Sequence, residues 1–483
     1  MNKIFLIAGS ILFLILIYSV VLSGYHYQLD NDEVFHVNVL YQIAHGARPY
    51  TSFFTIYTPI FHWLLLPVFS LFGPTFTTFH VLRALMIVLF FTRVILTAVL
   101  VRHIFGPLTA YIALVLMLLD PFTVFSAMQI RPDNVMLLMV VAGFFLLEYA
   151  LRSKHRKYYF ASGVFFGMAV ITIIKSVPLV AVTSAIFGIW QVAKKQKTQL
   201  MIFLWGILLP VAAFLLIYAA LGELSAMIRA VLFDPLILFQ SLLYKTSFRF
   251  FYQPDNILIF GAPGKTLSWY YAISLPYMAL FGVGCCLWDM WKKKRIQILP
   301  VILAAGLLAG GIILYKSPVV FIQYFLSINW IMAIFSAVPF VFVYRRIAKR
   351  NIGKLIAGAG IFLFIIMIIS STRANIARSA INQTSLEESF TRIWNIIPEN
   401  VATFPNMLFR PAVYPLLIGS FYGDVPPGIL ARFGDIAQIL ETRKVAYLIA
   451  SDYYISFLPP HVQEYVKNNY TKTSTPEVYR RTP

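Results

Sequence analysis

Long apolar runs separated by short polar turns set the pattern of this chain. Crossing a hydrocarbon core takes about 20 apolar residues. By that measure the pattern predicts about eleven membrane helices, near 4–23, 78–101, 107–126, 134–151, 158–174, 177–193, 200–221, 269–290, 297–315, 319–344 and 354–372. The runs are continuous and lack strand-like alternation, which excludes a membrane barrel; their backbone polar groups must then be paired within helices. The apolar stretch from Pro59 to Phe72 is only about 14 residues long and holds Pro59, His62 and Pro67. An interfacial or re-entrant segment is expected at that length.

The polar turns decide the threading. Basic residues cluster at Arg152, Lys154, Arg156 and Lys157, at Lys194, Lys195 and Lys197, at Lys292 to Arg295, and from Arg345 and Arg346 through Lys349, Arg350 and Lys354. With the N-terminus inside and 59–72 left at the surface, all four clusters face the cytoplasm, as Lys and Arg do in short loops. Counting 59–72 as a crossing would put all four outside. The favoured threading sends another set of residues to the external face: Asp30, Asp32, Glu33, Arg131, Asp133, Lys175, the loop 222–268 and Lys316.

The first external loop, about 24–77, is expected to hold interfacial helices. Val34, Val37, Leu40 and Tyr41 recur at helical spacing, which predicts an amphipathic helix over 33–44 lying at the surface. Gly46 and Pro49 end it, and Tyr50, Phe53, Phe54 and Tyr57 suit a headgroup layer. After Ser371 the composition becomes polar. Residues 373–483 contain no crossing; Val401 to Phe404 and Val445 to Ala450 read as strands, and Ile429, Phe433, Ile436 and Leu440 give helical spacing over 429–443. The expected architecture is a polytopic α-helical membrane domain, 1–372, followed by a small extracytoplasmic α/β domain, 373–483. The chain has no internal repeat and no low-complexity tract.

Composition agrees with this. Hydrophobic residues make up 60% of the chain and charged ones 12%, with a mean hydropathy of +0.78; soluble domains carry about 25% charged residues. A net charge of +20 would suit nucleic acid if it formed a patch, but its confinement to short turns points to cytoplasmic loops and no nucleic-acid partner. Cys285 and Cys286 are adjacent within an apolar run and form neither a staple nor a metal pattern. The opening Met-Asn-Lys and apolar run look like a signal peptide, yet the run is long and no small-residue cleavage site follows, so a retained anchor is expected.

Only 19 residues of 483 are acidic, and three of them stand together in Asp30-Asn31-Asp32-Glu33, where the first helix leaves the bilayer. They could cap the 33–44 helix and favour its dipole, or they could touch substrate. His26, His36, His45 and His62 share the loop; their spacings match no zinc pattern, and a divalent cation stays open, with no cofactor assigned. His36 lies one helical turn from Asp32. Loop 222–268 mixes Arg229, Lys245, Arg249 and Lys265 with Phe248, Phe250, Phe251 and Tyr252, and reads either as a lid over an anionic ligand, hinged at Gly261 to Gly264, or as an interfacial loop. Arg93 and Glu148 fall inside crossings and are expected to pair or to snorkel.

The acid pair at the end of the first helix, the surface helix, Gly46-x-x-Pro49-Tyr50-x-x-Phe53-Phe54 and Thr58-Pro59 together resemble the GT-C glycosyltransferases, most nearly the protein O-mannosyltransferase-like and lipid A aminoarabinose transferase-like branch. Arg131-Pro132-Asp133 is similar to that family's turn after the third crossing. Thr172 to Lys175 is similar to its Thr-Lys at an external helix end, and Pro318 to Gln323-Tyr324 to its late Gln-Tyr motif. The resemblance covers residues 1 to about 345. It departs after the Gln-Tyr pair, where this chain has Phe325-Leu326-Ser327 in place of Leu-Pro.

The resemblance implies transfer of a sugar from a polyprenyl-phosphate carrier to a hydroxyl acceptor, on a lipid, a glycan or a protein, at the external face; the lean loops and short tail point to the cytoplasmic membrane of a bacterium. The residues suit that chemistry. A carboxylate can take the acceptor proton, which suggests Asp32 as the base, with Glu33 or Asp30 orienting the acceptor or a cation. Asp32 and Glu33 point about 100° apart on a helix, so they would divide the work. The leaving lipid phosphate needs cations rather than an acid, which nominates Lys175, Arg131, Lys316 and Arg83. Asp133, His36, Lys245, Arg249, Gln323 and Tyr324 complete the candidate substrate contacts. Two other readings stay open. A transporter or flippase of lipid-linked sugars would place charges and broken helices near the midplane, with repeats; a non-catalytic assembly protein would not need the carboxylates.

Overall fold

The computed structural model describes residues 3–482 except 28, 242–246, 318–319, 348–350, 382–383, 399–400, 402, 405–407, 411–431, 433, 451, 457 and 476. Lys245, Pro318 and most of 429–433 therefore lie outside the described residues. The principal helices, in chain order, are α1 (Lys3–His26), α2 (Asn31–Ala44), α3 (Ile60–Phe72), α4 (Phe76–Phe105), α5 (Pro107–Leu119), α6 (Pro121–Ser126), α7 (Pro132–Ser153), α8 (Arg156–Thr172), α9 (Val177–Ala193), α10 (Lys197–Ala220), α11 (Leu267–Lys293), α12 (Ile298–Lys316), α13 (Phe325–Ile347), α14 (Asn351–Ser379), α15 (Thr384–Trp394), α16 (Ile436–Thr442) and α17 (Pro460–Asn469).

Among the described residues nine helices are long and apolar enough to cross a membrane, and α3 and α5 are shorter apolar helices. The α3 helix has 13 residues, about 20 Å at 1.5 Å per residue, in keeping with a segment that does not cross. The run expected as a single helix over 107–126 is instead broken. α5 stops at Leu119, Asp120 has extended backbone angles, and Pro121 opens α6. Proline cannot donate to the preceding turn and disfavours helix in the residue before it. The α8 helix has 17 residues and is followed by a 3-10 turn, Ile174–Ser176, that carries Lys175.

The chain forms two compact units. The first comprises residues 1–27, 83–213 and 246–381, the second 28–82, 214–245 and 382–483. In the first unit, small residues let helices approach backbone to backbone. A Cβ on Gly282 of α11 would sit 1.9 Å from the Phe335 carbonyl oxygen of α13, and one on Gly163 of α8 would sit 2.1 Å from the Phe203 carbonyl oxygen of α10. Trp330, 1% exposed, donates its indole N–H to the Thr97 hydroxyl at 2.8 Å. The charges inside the predicted crossings divide. Glu148 pairs with Arg152 one turn on at 2.5 Å, whereas Arg93 lies buried over the Phe90 ring.

The second unit carries a four-stranded sheet of order β1-β2-β4-β3, from β1 (Thr403–Phe404), β2 (Tyr447–Ile449), β3 (Tyr470–Lys472) and β4 (Val478–Arg481). The β1 and β2 strands are parallel, pairing Phe404 with Leu448; β2 and β3 run antiparallel to β4, pairing Leu448 with Tyr479 and Thr471 with Arg480. Leu440 of α16 and Val462 and Val466 of α17 cover it, and Phe54 from the first loop enters the same core. Two of the strands fall where the sequence places them, at 403–404 and 447–449.

The α2 helix has the predicted extent but not the predicted setting. Glu33 to Gln42 are buried without a break, so no wet stripe remains along its middle. The faces that looked polar have partners: the Gln42 amide donates to the Arg410 carbonyl at 3.1 Å, and Tyr41 meets the rings of Phe69 and Phe409. The motif after α2 is a tight turn. Tyr50 adopts a φ of 73°, a left-handed conformation that is costly for a bulky residue. It is held there by its N–H on the Phe53 carbonyl at 2.9 Å and by its hydroxyl donating to the Tyr57 carbonyl at 3.0 Å. Burial, followed by the neighbouring Tyr218, pushes the Tyr50 phenol well above its ordinary range.

Candidate functional site

Two groups of predicted residues assemble, one in each unit. In the first unit Arg131 ends the link after α6 as the N-cap of α7, and Pro132 and Asp133 form the first turn of α7. A proline at the first helical position needs no partner for the N–H it lacks, which fixes where Asp133 leaves the backbone. Asp133 does not cap the helix. Its carboxylate meets the Lys175 ammonium at 2.5 Å, with the aspartate side chain 5% and the lysine side chain 27% exposed. The 3-10 turn Ile322–Tyr324 that precedes α13 brings the Tyr324 ring to 4.5 Å from the same ammonium, and Gln323 is buried in that turn. Three segments predicted separately, at Arg131-Asp133, Lys175 and Gln323-Tyr324, thus converge.

A lysine held this way keeps a fixed direction. The carboxylate and the ring face take part of its hydrogen-bonding and electrostatic capacity, while its partial exposure leaves room for another anion. Arg131 is also buried, 3% exposed.

Arg83 of α4 is placed otherwise. Its guanidinium donates to the Tyr27 carbonyl and, at 3.5 Å, to the Tyr25 carbonyl, two acceptors at the C-terminal end of α1. It borders a small, partly open pocket lined also by Ser23, Gly24, Tyr27, Met128 and Gln129. Lys316, the last residue of α12, is exposed, with its ammonium 5.8 Å from the centre of the Tyr315 ring. Arg249 is exposed on the short helix Phe248–Phe251. Neither has an ion pair among the described residues.

In the second unit the acidic cluster forms a capping box on α2. The Asp30 carboxylate accepts the Asp32 N–H at 3.3 Å, and Glu33 reaches back to accept the Asp30 N–H at 3.1 Å. Two of the three acids therefore serve the helix end directly, as a reciprocal pair. Glu33 is fully buried while Asp32 is half-buried. One turn on, His36 Nδ1 lies 3.1 Å from Nε2 of His62 on α3. In the same unit Glu223 accepts from Arg48 and from Thr51, each at 3.3 Å, fastening the turn that holds Tyr50.

Burial holds the His62 imidazole neutral, with a pKa lowered from 6.5 to about 3. Above pH 6.5 neither the folded nor the unfolded chain protonates it. As pH falls from 6.5 toward 3 only the unfolded chain binds the proton, so stability declines by up to about 1.4 kcal/mol per pH unit. Melting temperatures of the purified protein should drop across that window, with a shallower slope in His62→Gln; equal slopes would show that His62 titrates freely.

Among the described residues no three His, Cys, Asp or Glu side chains converge on a point that could hold a metal ion. The sequence reading missed Asp120. It is fully buried at the α5–α6 break, where it caps α6 through the Thr123 N–H at 3.0 Å and accepts the Asn329 amide at 2.9 Å. An aspartate followed by proline inside an apolar run was the available signal: it marks a helix stop and start, and an ionisable side chain within a crossing is a functional flag.

Comparison with known proteins supplies the context. The family model for dolichyl-phosphate-mannose-protein mannosyltransferase matches residues 57–218. No curated protein matches the sequence. Among solved structures, ArnT from Cupriavidus metallidurans bound to undecaprenyl phosphate is similar with a TM-score of 0.62 and 11% identity, over 99% of this chain and 98% of that one. The archaeal oligosaccharyltransferase AglB from Archaeoglobus fulgidus, in complex with an inhibitory peptide and a dolichol-phosphate, is similar with a TM-score of 0.53 and 12% identity, over 98% of this chain and 74% of that one. The chain has the GT-C fold of membrane glycosyltransferases, and about a third of it, residues 57–218, matches a mannosyltransferase family model.

Proposed function

We propose that this protein is a glycosyltransferase that moves a single sugar from a polyprenyl-phosphate carrier to a hydroxyl acceptor at the extracytoplasmic face of a cell membrane. The observation that carries the reading is the Lys175–Asp133 pair with Tyr324 over the ammonium, a partly open, directionally fixed cation in a chain of GT-C fold. The ArnT and AglB structures hold undecaprenyl phosphate and dolichol-phosphate, which supports a polyprenyl phosphate as the carrier.

In this mechanism Lys175 and Arg131 take up the charge that develops on the departing lipid phosphate. Asp32 removes the acceptor proton late in the attack, and a single displacement inverts the anomeric centre. Asp30 and Glu33 hold the first turn of α2 and so fix the direction of Asp32. His36, Lys245, Arg249, Lys316, Gln323 and Arg83 are secondary contacts to donor or acceptor.

The test is reconstitution. Purified protein in lipid discs is given radiolabelled polyprenyl-phosphate sugars and an envelope extract as acceptor. Time-dependent label in the extract, with release of polyprenyl phosphate, is the expected result. Movement of intact carrier across the bilayer without cleavage of the sugar–phosphate bond would instead identify a flippase.

A further inference from the structure

At the contact of the α5–α6 break with α13, two buried oxygen atoms have no donor among the described residues. Asp120 is fully buried and Asn329 of α13 is 2% exposed. They are joined on one side only, where the Asn329 amide donates to Asp120 Oδ2 at 2.9 Å. That same Oδ2 also accepts the Thr123 N–H at 3.0 Å and the Thr123 hydroxyl. The remaining oxygens, Asp120 Oδ1 and Asn329 Oδ1, are both buried and have no hydrogen-bond partner among the described residues.

We propose that Asp120 is a proton-binding site, a neutral carboxylic acid that donates from Oδ1 to the Asn329 oxygen and completes a two-bond acid–amide pair. One proton satisfies both orphaned oxygens at once. Two acceptors cannot otherwise bond to each other, and a buried acceptor left without a donor is costly. Turning the Asn329 amide over would set its oxygen against Asp120 Oδ2, which calls for the proton equally.

Asp120 has a cation nearby but no ion pair to it among the described residues. Its ionisable neighbours are the phenols of Tyr252 and Tyr271 and the Arg378 guanidinium of α14. Tyr271 donates a hydrogen bond from its hydroxyl to the Leu116 carbonyl at 2.7 Å. Arg378 is turned to other acceptors: it donates to the Pro121 and Ile259 carbonyls at 3.4 and 3.1 Å and to the Asn375 side chain, and among the described residues it forms no ion pair with Asp120. Backbone breaks at membrane depth are tolerated where protein buries them; a protonated acid lets this one bind to α13 without burying an anion. The proton comes from solvent and no other bond changes.

Infrared spectroscopy of the full-length protein in lipid discs tests this directly. From neutral pH to about pH 9, well above the ordinary carboxyl range, the spectrum should contain a protonated-carboxyl C=O band that moves on deuteration and is absent from Asp120→Asn. Asn329→Ala should displace that band, which assigns it even if the first variant fails to fold. Asp120→Asn should melt with the wild type, because an amide can make the same two bonds. Absence of the band would overturn the proposal and mean an ionised Asp120 sharing a water with Asn329. A band abolished by sodium would overturn it in favour of a cation site. Loss of folded protein in Asp120→Asn, with no Asn329-sensitive band in the wild type, would establish an ionised partner of Arg378.

Discussion

Replacing Asp32 by Asn is expected to lower glycosyl transfer by about 10²- to 10⁴-fold, the range of a lost general base, while leaving the protein folded. The capping box is what isolates this effect. Asp30 and Glu33 accept backbone N–H groups at the start of α2, and Asn and Gln can accept the same bonds, so Asp30→Asn and Glu33→Gln should keep the helix end within about 1 kcal/mol of the wild type. Asp30→Ala removes one arm of the box and should cost about 0.5–2 kcal/mol in stability. Asp32 contributes its backbone N–H, not its carboxylate, to that box, so Asp32→Asn leaves the cap intact. The measurement is transfer rate with labelled donor for the four variants beside their melting temperatures. If Asp32→Asn transfers within a few-fold of wild type, Asp32 is not the base; if Glu33→Gln falls equally far at unchanged stability, the role belongs to Glu33.

How much of this was legible in the sequence depends on the physics that sets each feature. Apolar runs are local, so most of the helices, the short α3 and the polar tail were readable, and so were two strands of its sheet. The threading put Asp133 and Lys175 on one face and the resemblance added Tyr324 to the candidates, but their meeting was not legible; sequence spacing alone cannot bring residues 42 and 149 positions apart onto one ammonium. The break at Asp120 was overlooked because a hydropathy window averages one aspartate away over 20 residues, although Asp-Pro carries its own stop signal. The setting of α2 was misread for a tertiary reason. Val34, Val37, Leu40 and Tyr41 announce one buried face, but Gln42 is buried through a hydrogen bond to Arg410, and a polar residue whose partner is hundreds of positions away looks solvent-exposed in sequence. Phe54 illustrates the converse. An aromatic at a headgroup-like spacing packs into the core of the sheet, a contact over more than 350 residues of chain.

Replacing Lys175 by Met should reduce kcat/KM for a polyprenyl-phosphate sugar by about 10²- to 10³-fold, the cost of removing one donor to a developing anion. Methionine keeps most of the length and apolar volume of the side chain and removes only the charge. The loss should exceed that from Asp133→Asn, which leaves the cation in place and frees its direction, and that from Tyr324→Leu, which removes a ring contact worth about 0.5–2 kcal/mol. The order follows from which group touches the phosphate in the proposed mechanism. Lys175 is 27% exposed at its side chain while Asp133 is 5% exposed, so the aspartate acts through the lysine. Lys175→Met also leaves Asp133 buried without its ion pair, and breaking a buried pair costs about 3–5 kcal/mol; part of that is recovered by the solvent that reaches Lys175. Stability and catalysis must therefore be read separately, by size-exclusion profile and melting temperature on one side and donor saturation curves on the other. Double substitution at Lys175 and Asp133 discriminates further. With both charges gone the stability loss should shrink while transfer stays as low as in Lys175→Met, because in the proposed mechanism the cation and not the pair meets the leaving phosphate. Recovery of transfer in the double variant would mean that the ion pair serves only to join α7 to the turn after α8.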